Sequence, residues 1–557
     1  MINYKKYKKA PVLNFPEREW PKQEITKAPI WCSVDLRDGN QALIDPMVVE
    51  EKVELFQFLV KLGFKDIEIG FPAASQIEFD FLRQLVDRKL IPDDVRVQVL
   101  CQCREELLDR TFEAIKGCKK AIVHIYNSTS VLQRNVVFHM SKEEIKNIAI
   151  SGTKMVIERA AKFDGEITLE YSPESFTGTE MEYALEVCEA VLDTWGATKD
   201  NKVIINLPST VEMNTPNVYA DQIEWMRKHF TNRERVIISI HPHNDRGTGV
   251  AASELALLAG ADRVEGTLFG NGERTGNVDV LTMAYNMFSQ GINPGLEIEH
   301  VEEIIEIYER CCKMPIHPRH PYAGKLVFTA FSGSHQDAIN KGVRAMKNKE
   351  DNYWEVPYLP IDPADIGREY EPIVRINSQS GKGGVAFIMD TYFGFKLPKG
   401  MHKEFAKGIQ GISEKQGEVS PDQIMERFAL EYLEKKEPIH FKKLQIHDLS
   451  DENTSFDTKV IVTYANKGIE KVFEAIGNGP IDATQRGLCE ALGIKIKVLD
   501  YEEHALQSGA SSKAAAYIHL LDAESGRVTY GVGVSSNITR ASIRALFSAI
   551  NRLELGE

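Results

Sequence analysis

The sequence contains no run of about 18 consecutive apolar residues, so no membrane-spanning helix is expected. It has no surplus of positive charge. With 67 basic and 81 acidic side chains, the formal net charge is −14, which argues against nucleic acid as the main partner. No Cys-x-x-Cys pair occurs among the 8 cysteines. Cys101 and Cys103 fall on one strand face, and Cys311 and Cys312 are adjacent. Neither spacing suits a zinc site or a disulfide framework, so free thiols in a reducing cytoplasm are expected. No apolar core follows the basic opening MINYKKYKKAP, and no secretory signal is expected there. Phosphate-binding glycine motifs are also missing. Gly270, Gly272 and Gly276 in GNGERTG miss the Gly-x-Gly-x-x-Gly spacing by one residue. SQSGKGG at 378–384 lacks both the first glycine and the final Ser/Thr of a Walker A loop, leaving a loop with Lys382 available to a phosphate.

What is present is an ordinary globular composition, 43% hydrophobic and 27% charged, over 557 residues. That length suits two to four domains with sizeable cores. From residue 28 to about residue 300 one rhythm repeats, a short β-rich run followed by a longer helical pattern. The runs are APIWCSVDL, DIEIGF, VRVQVLCQ, AIVHIYN, EITLEYSP, KVIINLPST, VIISIHPHN and RVEGTLFGN. The intervening VVEEKVELFQFLVKLG and GVAASELALLAGA are apolar at i, i+3, i+4 spacing and close on Gly63 and Gly260, which suit helix stops. Eight such units over about 270 residues fit an α/β fold of the TIM (β/α)8 barrel type. A doubly wound sheet would want a glycine-rich turn after its first strand, and DLRDGNQ is not one.

Residues 301–314 read as an amphipathic helix, and the proline-rich stretch 315–435 as linker subdomains. A separate C-terminal α/β domain is expected over 436–557. Its strand candidates are KVIVTYANKG, IKIKVLDYEEHAL, AAAYIHLLDA and RVTYGVGVSS, and its helix candidates IDATQRGLCEALG and ITRASIRALFSAINRLE. The organisation is then an extension over 1–27, a catalytic barrel over 28–314, the linker, and the last domain.

In such a barrel, catalytic groups sit at the C-terminal strand ends. There the sequence places Asp35, Arg37 and Asp38 after strand 1, His124 on strand 4 and Ser172 and Glu174 on strand 5. Ser209 and Thr210 end strand 6, His241, His243, Asn244 and Asp245 end strand 7, and Asn271, Glu273, Arg274 and Asn277 follow strand 8. A lone histidine at a strand end is ordinarily a satisfied surface residue. Two at i and i+2 share one strand face and can reach one ion. Asp38 is the natural third ligand, because strands 1 and 7 would flank strand 8, and Asn277 offers a neutral oxygen as a fourth or outer partner. Two imidazoles and one carboxylate leave positions open for substrate. Arg37, if not merely ion-paired to Asp38, puts a cation where an enolate or alkoxide would develop. Glu174 reads either as a solvated loop acid or as a base or substrate orienter.

The motifs DLRDGNQAL, HIYNST, EYSPESFTGTE, NLPSTVEM, HPHNDRGTGVAASELAL and EGTLFGNGERTGNVD together resemble the long-form 2-isopropylmalate synthase family, and the resemblance extends over nearly the whole chain. Many relatives carry Glu where this chain has Asn40; the long forms share the Asn. The resemblance implies a Claisen-type condensation of acetyl-CoA, the co-substrate, with 2-oxoisovalerate, the first committed step of leucine biosynthesis. It implies a divalent cation (Mg2+ or Mn2+, with Zn2+ as a further candidate) on Asp38, His241, His243 and Asn277. Arg37, His124, Ser172, Glu174 and Thr210 match positions lining the keto-acid pocket. His335 and Tyr358 match residues that reach in from the linker, one of them the base, with Glu273 orienting. The final domain resembles a leucine-binding regulatory domain, with Gly477, Asn478, Gly479, Ile481, Tyr501 and Ala505 matching its effector pocket. A cytoplasmic homodimer in which the linker of one chain serves the other's active site is expected. The rival readings are a homocitrate or citramalate synthase of the same group, a metal-dependent hydrolase on the same barrel, and a catalytically dead leucine sensor.

Overall fold

The computed structural model describes residues 6, 10–330, 333–347, 349, 351, 353–370, 382–416, 419–433, 435–449, 458–506 and 512–553. Most of SQSGKGG, and the Lys382 side chain, lie outside the described residues. The chain divides into two compact units, Met1–Phe328 with Ile361–Glu369, and Thr329–Pro360 with Tyr370–Glu557.

The first unit is a closed barrel of eight parallel strands in chain order, with β8 pairing back to β1. The strands are β1 (Ile30–Ser33), β2 (Asp66–Gly70), β3 (Arg96–Gln102), β4 (Lys120–Ser128), β5 (Glu166–Glu174), β6 (Val203–Ser209), β7 (Val236–Pro242) and β8 (Arg263–Gly266). All eight expected runs are strands, and a helix follows each, from Val49–Lys61 to Val280–Ser289. The two expected helix stops are present, since Gly63 and Gly260 take left-handed backbone with φ of 99° and 98°. The expected amphipathic helix spans Val301–Cys312 and buries Val301, Ile304, Ile305 and Tyr308. All eight cysteines are free thiols. Among the described residues, no helix is long and apolar enough to cross a membrane.

The barrel interior departs from the branched apolar filling usual in this fold. Alternate residues of the strands face inward, and here many are charged or polar. Asp66, Glu68, Gln98, Glu170, Asn206, Arg263 and Glu265 are all buried. Arg263 ties this layer together. Its Nε donates to Asp66 Oδ2 at 2.9 Å, its NH1 to Glu265 Oε1 at 2.8 Å and its NH2 to Gln98 Oε1 at 2.6 Å. The out-facing positions, such as Val97, Val99, Ile205 and Ile240, remain apolar and buried against the helices.

The second unit carries helices Gly333–Met346, Lys382–Phe393, Lys399–Gln416 and Pro421–Phe428, then two three-stranded antiparallel sheets. One sheet has the order β11 (Ile469–Gly477), β10 (Thr458–Asn466), β9 (Ile439–Asp448); the other runs β12 (Ile496–Ala505), β13 (Ala514–Asp522), β14 (Val528–Ser535). Helix Pro480–Leu492 follows the first sheet and helix Ile538–Arg552 the second, so the domain is a doubled βββα unit. Four of these strands and both helices match the expected segments, and β9 and β11 are additional. Both are edge strands whose residues are largely exposed, so the period-2 signal is lost in their charged side chains. Gly531 and Gly533 let the last helix approach β14 closely, because a Cβ on either would stand 2.1 Å from a carbonyl oxygen of that helix.

Candidate active site

The C-terminal end of β1 turns directly into one π-helical turn, Asp35–Gly39. That turn aims Arg37 and Asp38 over the barrel mouth. Asn40 accepts the Met47 N–H at 2.8 Å and pins the loop that follows. β7 brings His241 and His243 to the same rim, and an isolated bridge pairs His243 with Asn277.

These groups converge. Asp38 Oδ2 lies 3.0 Å from His241 Nε2 and 3.8 Å from His243 Nε2. It also accepts from Asn277 Nδ2 at 2.9 Å. One ligand-type atom from each of Asp38, His241 and His243 fits within 4.8 Å of the others, and all three residues are buried. Among the described residues, His243 Nδ1 and the carbonyl oxygen of Asn277 are buried with no hydrogen-bond partner. A buried lone pair without a donor is costly, and a cation relieves it. The donor set therefore suits a divalent cation.

Burial would push the Asp38 carboxyl up, but the Arg37 charge and the His241 hydrogen bond outweigh it and hold the group well below the usual carboxylate range. The two histidines are driven apart. Burial pulls His241 down, yet hydrogen bonds to Asp38 and Glu265 lift it to about 9. Burial and the neighbouring His241 lower His243 to about 4.

Arg37 is clamped, with NH1 3.0 Å from Asp38 Oδ1 and Nε 2.6 Å from Glu68 Oε2. The other oxygen of Glu68 is 3.0 Å from His124 Nδ1, and His124 Nε2 is 2.7 Å from Ser172 Oγ. Arg37, Asp38, His124, Ser172, Glu174, Thr210, His241, His243 and Glu273 all line one cavity of about 260 Å3, whose apolar wall is Phe71, Leu100, Tyr126 and Pro208. Glu174 takes a short hydrogen bond from Ser128, Thr210 Oγ1 accepts the Ser175 N–H at 2.9 Å, and Glu273 accepts from Gln41 at 3.0 Å.

His335 and Tyr358 belong to the second unit, where their ring centroids lie 4.2 Å apart and both side chains are exposed. In the last domain Gly477 ends β11, and the Asn478 N–H donates to Asp482 Oδ2 at 2.9 Å, so this turn holds a carboxylate of its own chain. Ile481 and Tyr501 are half-buried against one apolar core, while Gly479 adjoins the helix start and Ala505 ends β12 on the surface.

Glu68, Gln98, Asn206, Arg263 and Glu265 are not among the expected site residues, because they stand inside strands and not at the strand ends where catalytic groups of this fold sit. The available signal was charge at i and i+2 inside strands otherwise apolar, as in DIEIG and RVEG.

Fold and site together define a (β/α)8-barrel enzyme class with a His-x-His–carboxylate centre on its C-terminal rim. Family models match in the same arrangement: HMGL-like over residues 28–307, alpha-isopropylmalate synthase post-catalytic domain-like over 325–390, and LeuA allosteric (dimerisation) domain over 418–554. Similar proteins include 2-isopropylmalate synthase of Clostridium acetobutylicum, 56% identical across 99% of this chain and 100% of that one. Those of Acetoanaerobium sticklandii and Rhodospirillum rubrum are each 53% identical, across 100% and 99% of this chain and 98% of each relative. The chain belongs to the 2-isopropylmalate synthase family.

Proposed function

We propose that the protein condenses acetyl-CoA with 2-oxoisovalerate and water to give 2-isopropylmalate and CoA, and that leucine inhibits it. The observation that carries this reading is the rim cavity, where the Asp38–His241–His243 set and Arg37 face an apolar wall. Asp38, His241 and His243, with Asn277 beside them, are the residues that would hold a divalent cation. Such a cation supplies Lewis-acid polarisation of the keto carbonyl. The carboxylate and amide oxygens suit Mg2+ or Mn2+, while the two imidazoles keep Zn2+ as the further candidate.

Arg37 places its guanidinium where negative charge grows on the former keto oxygen. His124, Ser172, Glu174 and Thr210 orient the keto acid, and Phe71, Leu100 and Pro208 receive its branched alkyl end. The base is assigned to His335 or Tyr358, supplied by the linker of the other chain of the dimer, with Glu273 as its orienter. One of the pair takes a proton from the acetyl methyl group, the methyl carbon bonds to the keto carbon, and water cleaves the thioester to release the CoA thiol. A homocitrate synthase needs a free cation for a second carboxylate. Besides Arg37, the arginine lining the cavity is Arg274, and Asp245 already holds it at 2.7 Å.

The functional division is a barrel over 28–314, linker subdomains over 315–435 and a leucine-binding domain over 436–557, in a homodimer. The effector site is placed at Gly477, Asn478, Gly479, Ile481, Tyr501 and Ala505. The test is a panel of 2-oxo acids with acetyl-CoA, following CoA release with a thiol reagent, with and without leucine. Turnover should be best with 2-oxoisovalerate and fall when leucine is added. Preference for 2-oxoglutarate would sink the reading.

A further inference from the structure

Glu265 sits on β8 at the floor of the site, fully buried, and no step above uses it. Its carboxylate is saturated with donors. Oε1 accepts from Gln98 Nε2 and Arg263 NH1, both at 2.8 Å. Oε2 lies 2.8 Å from His241 Nδ1 and accepts from Asn206 Nδ2 at 3.2 Å. Three of these four partners stand on β3, β6 and β7, and the fourth on β8 itself, so the carboxylate is fixed from across the barrel. Its geometry decides which ring nitrogen of His241 is free. With Nδ1–H directed at Glu265, Nε2 is the atom left to face Asp38, 3.0 Å away. His243 has no such anchor, as its Nδ1 has no hydrogen-bond partner among the described residues.

We infer that Glu265 is a positioning residue for the metal centre, locking the ring of His241 so that Nε2 is presented to a divalent cation. The inference rests on the reading of Asp38, His241 and His243 as ligands. A carboxylate behind a ligating imidazole fixes the ring's tautomer and raises its basicity, and loss of such a partner typically weakens metal binding about 10–100-fold.

A rival view of the same residues fails on charge. His124, Glu170 and Glu265 also form a compact buried group of ligand type. The Arg263 guanidinium already occupies it, 2.8 Å from Glu265 and 3.4 Å from Glu170. A second cation there would meet a fixed positive charge at contact distance. The cluster is better described as the support beneath the rim site than as another site.

Glu265→Gln is the informative change. One of its two heteroatoms becomes an NH2 group, and donors face both positions. If the NH2 points at His241, Nδ1 must accept, and the proton moves to Nε2, the nitrogen needed for the cation. If it points at Arg263 and Gln98, two donors confront it and the side chain is displaced. The experiment titrates Mn2+ into full-length wild type, Glu265→Gln, Glu265→Asp and His241→Ala by calorimetry, with melting temperatures recorded on the same samples. The expected result is one Mn2+ per chain in wild type, affinity about 10–100-fold weaker in Glu265→Gln, and no binding in His241→Ala. Glu265→Asp keeps the charge beside Arg263 but falls one methylene short of His241, so it folds and also binds more weakly. It decides the matter where the glutamine variant does not fold. Wild-type Mn2+ affinity in a folded Glu265 variant overturns the inference. Wild-type affinity in His241→Ala overturns instead the ligand reading on which it rests.

Discussion

Arg37, partly exposed to the cavity, pairs with the fully buried Glu68, Nε to Oε2 at 2.6 Å, and the same guanidinium reaches Asp38 through NH1 at 3.0 Å. Two carboxylates thus hold one planar cation in a fixed plane. Lysine can supply the charge but not the fork. Arg37→Lys is expected to lower kcat by about 100-fold, the usual cost of one misplaced oxyanion donor, with a smaller change in KM for 2-oxoisovalerate. Steady-state CoA release measures both. An unchanged kcat would place the cation's role elsewhere.

His241→Ala should abolish turnover while leaving the fold intact. The barrel's cohesion lies in strands such as Val203–Ser209, every residue of which is buried, and in the apolar layer between strands and helices. Glu265 keeps Arg263, Gln98 and Asn206 when the imidazole is removed. Circular dichroism should show a wild-type spectrum with a melting temperature within a few degrees, alongside loss of activity at any Mn2+ concentration. Restored turnover at high Mn2+ would mean that the remaining donors suffice.

Asp35 offers a test by pH. Burial, only partly offset by hydrogen bonds from Ser33 and the Leu268 N–H, pushes its carboxyl up to about 7. The unfolded chain releases the same proton near pH 3.9. Between about pH 4 and 7 the native state therefore holds a proton that the unfolded state has lost, so stability falls as pH rises through that window and levels above it. Asparagine cannot ionise, yet it can accept from Leu268 and donate to Ser33 Oγ. The melting temperature of Asp35→Asn relative to wild type should then be higher at pH 8 than at pH 5. A difference that is the same at both values would show Asp35 to be ionised throughout.

The barrel was legible because each strand is a short apolar run and each helix carries its own periodicity and stop. The rim was legible for a different reason. His241 and His243 are two apart on a strand, and alternation puts them on one face whatever the rest of the chain does. What lay beneath the rim was not legible by that route. Glu265, Arg263 and Glu68 stand mid-strand, and what makes each tolerable is a partner on another strand, 165 to 167 residues away for the bonds of Arg263 and Glu265 to Gln98. Sequence spacing carries no trace of such pairings. The edge strands β9 and β11 were not legible either, since exposure along most of their length removes the pattern that marks a strand.

The linker helices and the last domain share a core, which bears on how leucine control can be tested. Ile388, Met389, Phe405, Phe428 and Tyr432 form one buried cluster with Ala515, Tyr517, Tyr530 and Val532 of β13 and β14. Arg552 of the final helix also stacks over the Tyr432 ring at 3.9 Å. A chain stopped near residue 435 would expose that cluster, and each large apolar side chain uncovered forfeits about 1.5–3 kcal/mol. Such a truncation is expected to aggregate, as light scattering would show, and its activity would say nothing of regulation. A point change separates the two. Tyr501 is half-buried against the domain's other core, its hydroxyl 3.0 Å from Ser542 Oγ. Tyr501→Ala should leave kcat near wild type while raising the leucine concentration for half-inhibition at least tenfold. Equal leucine sensitivity in wild type and variant would remove Tyr501 from the effector site.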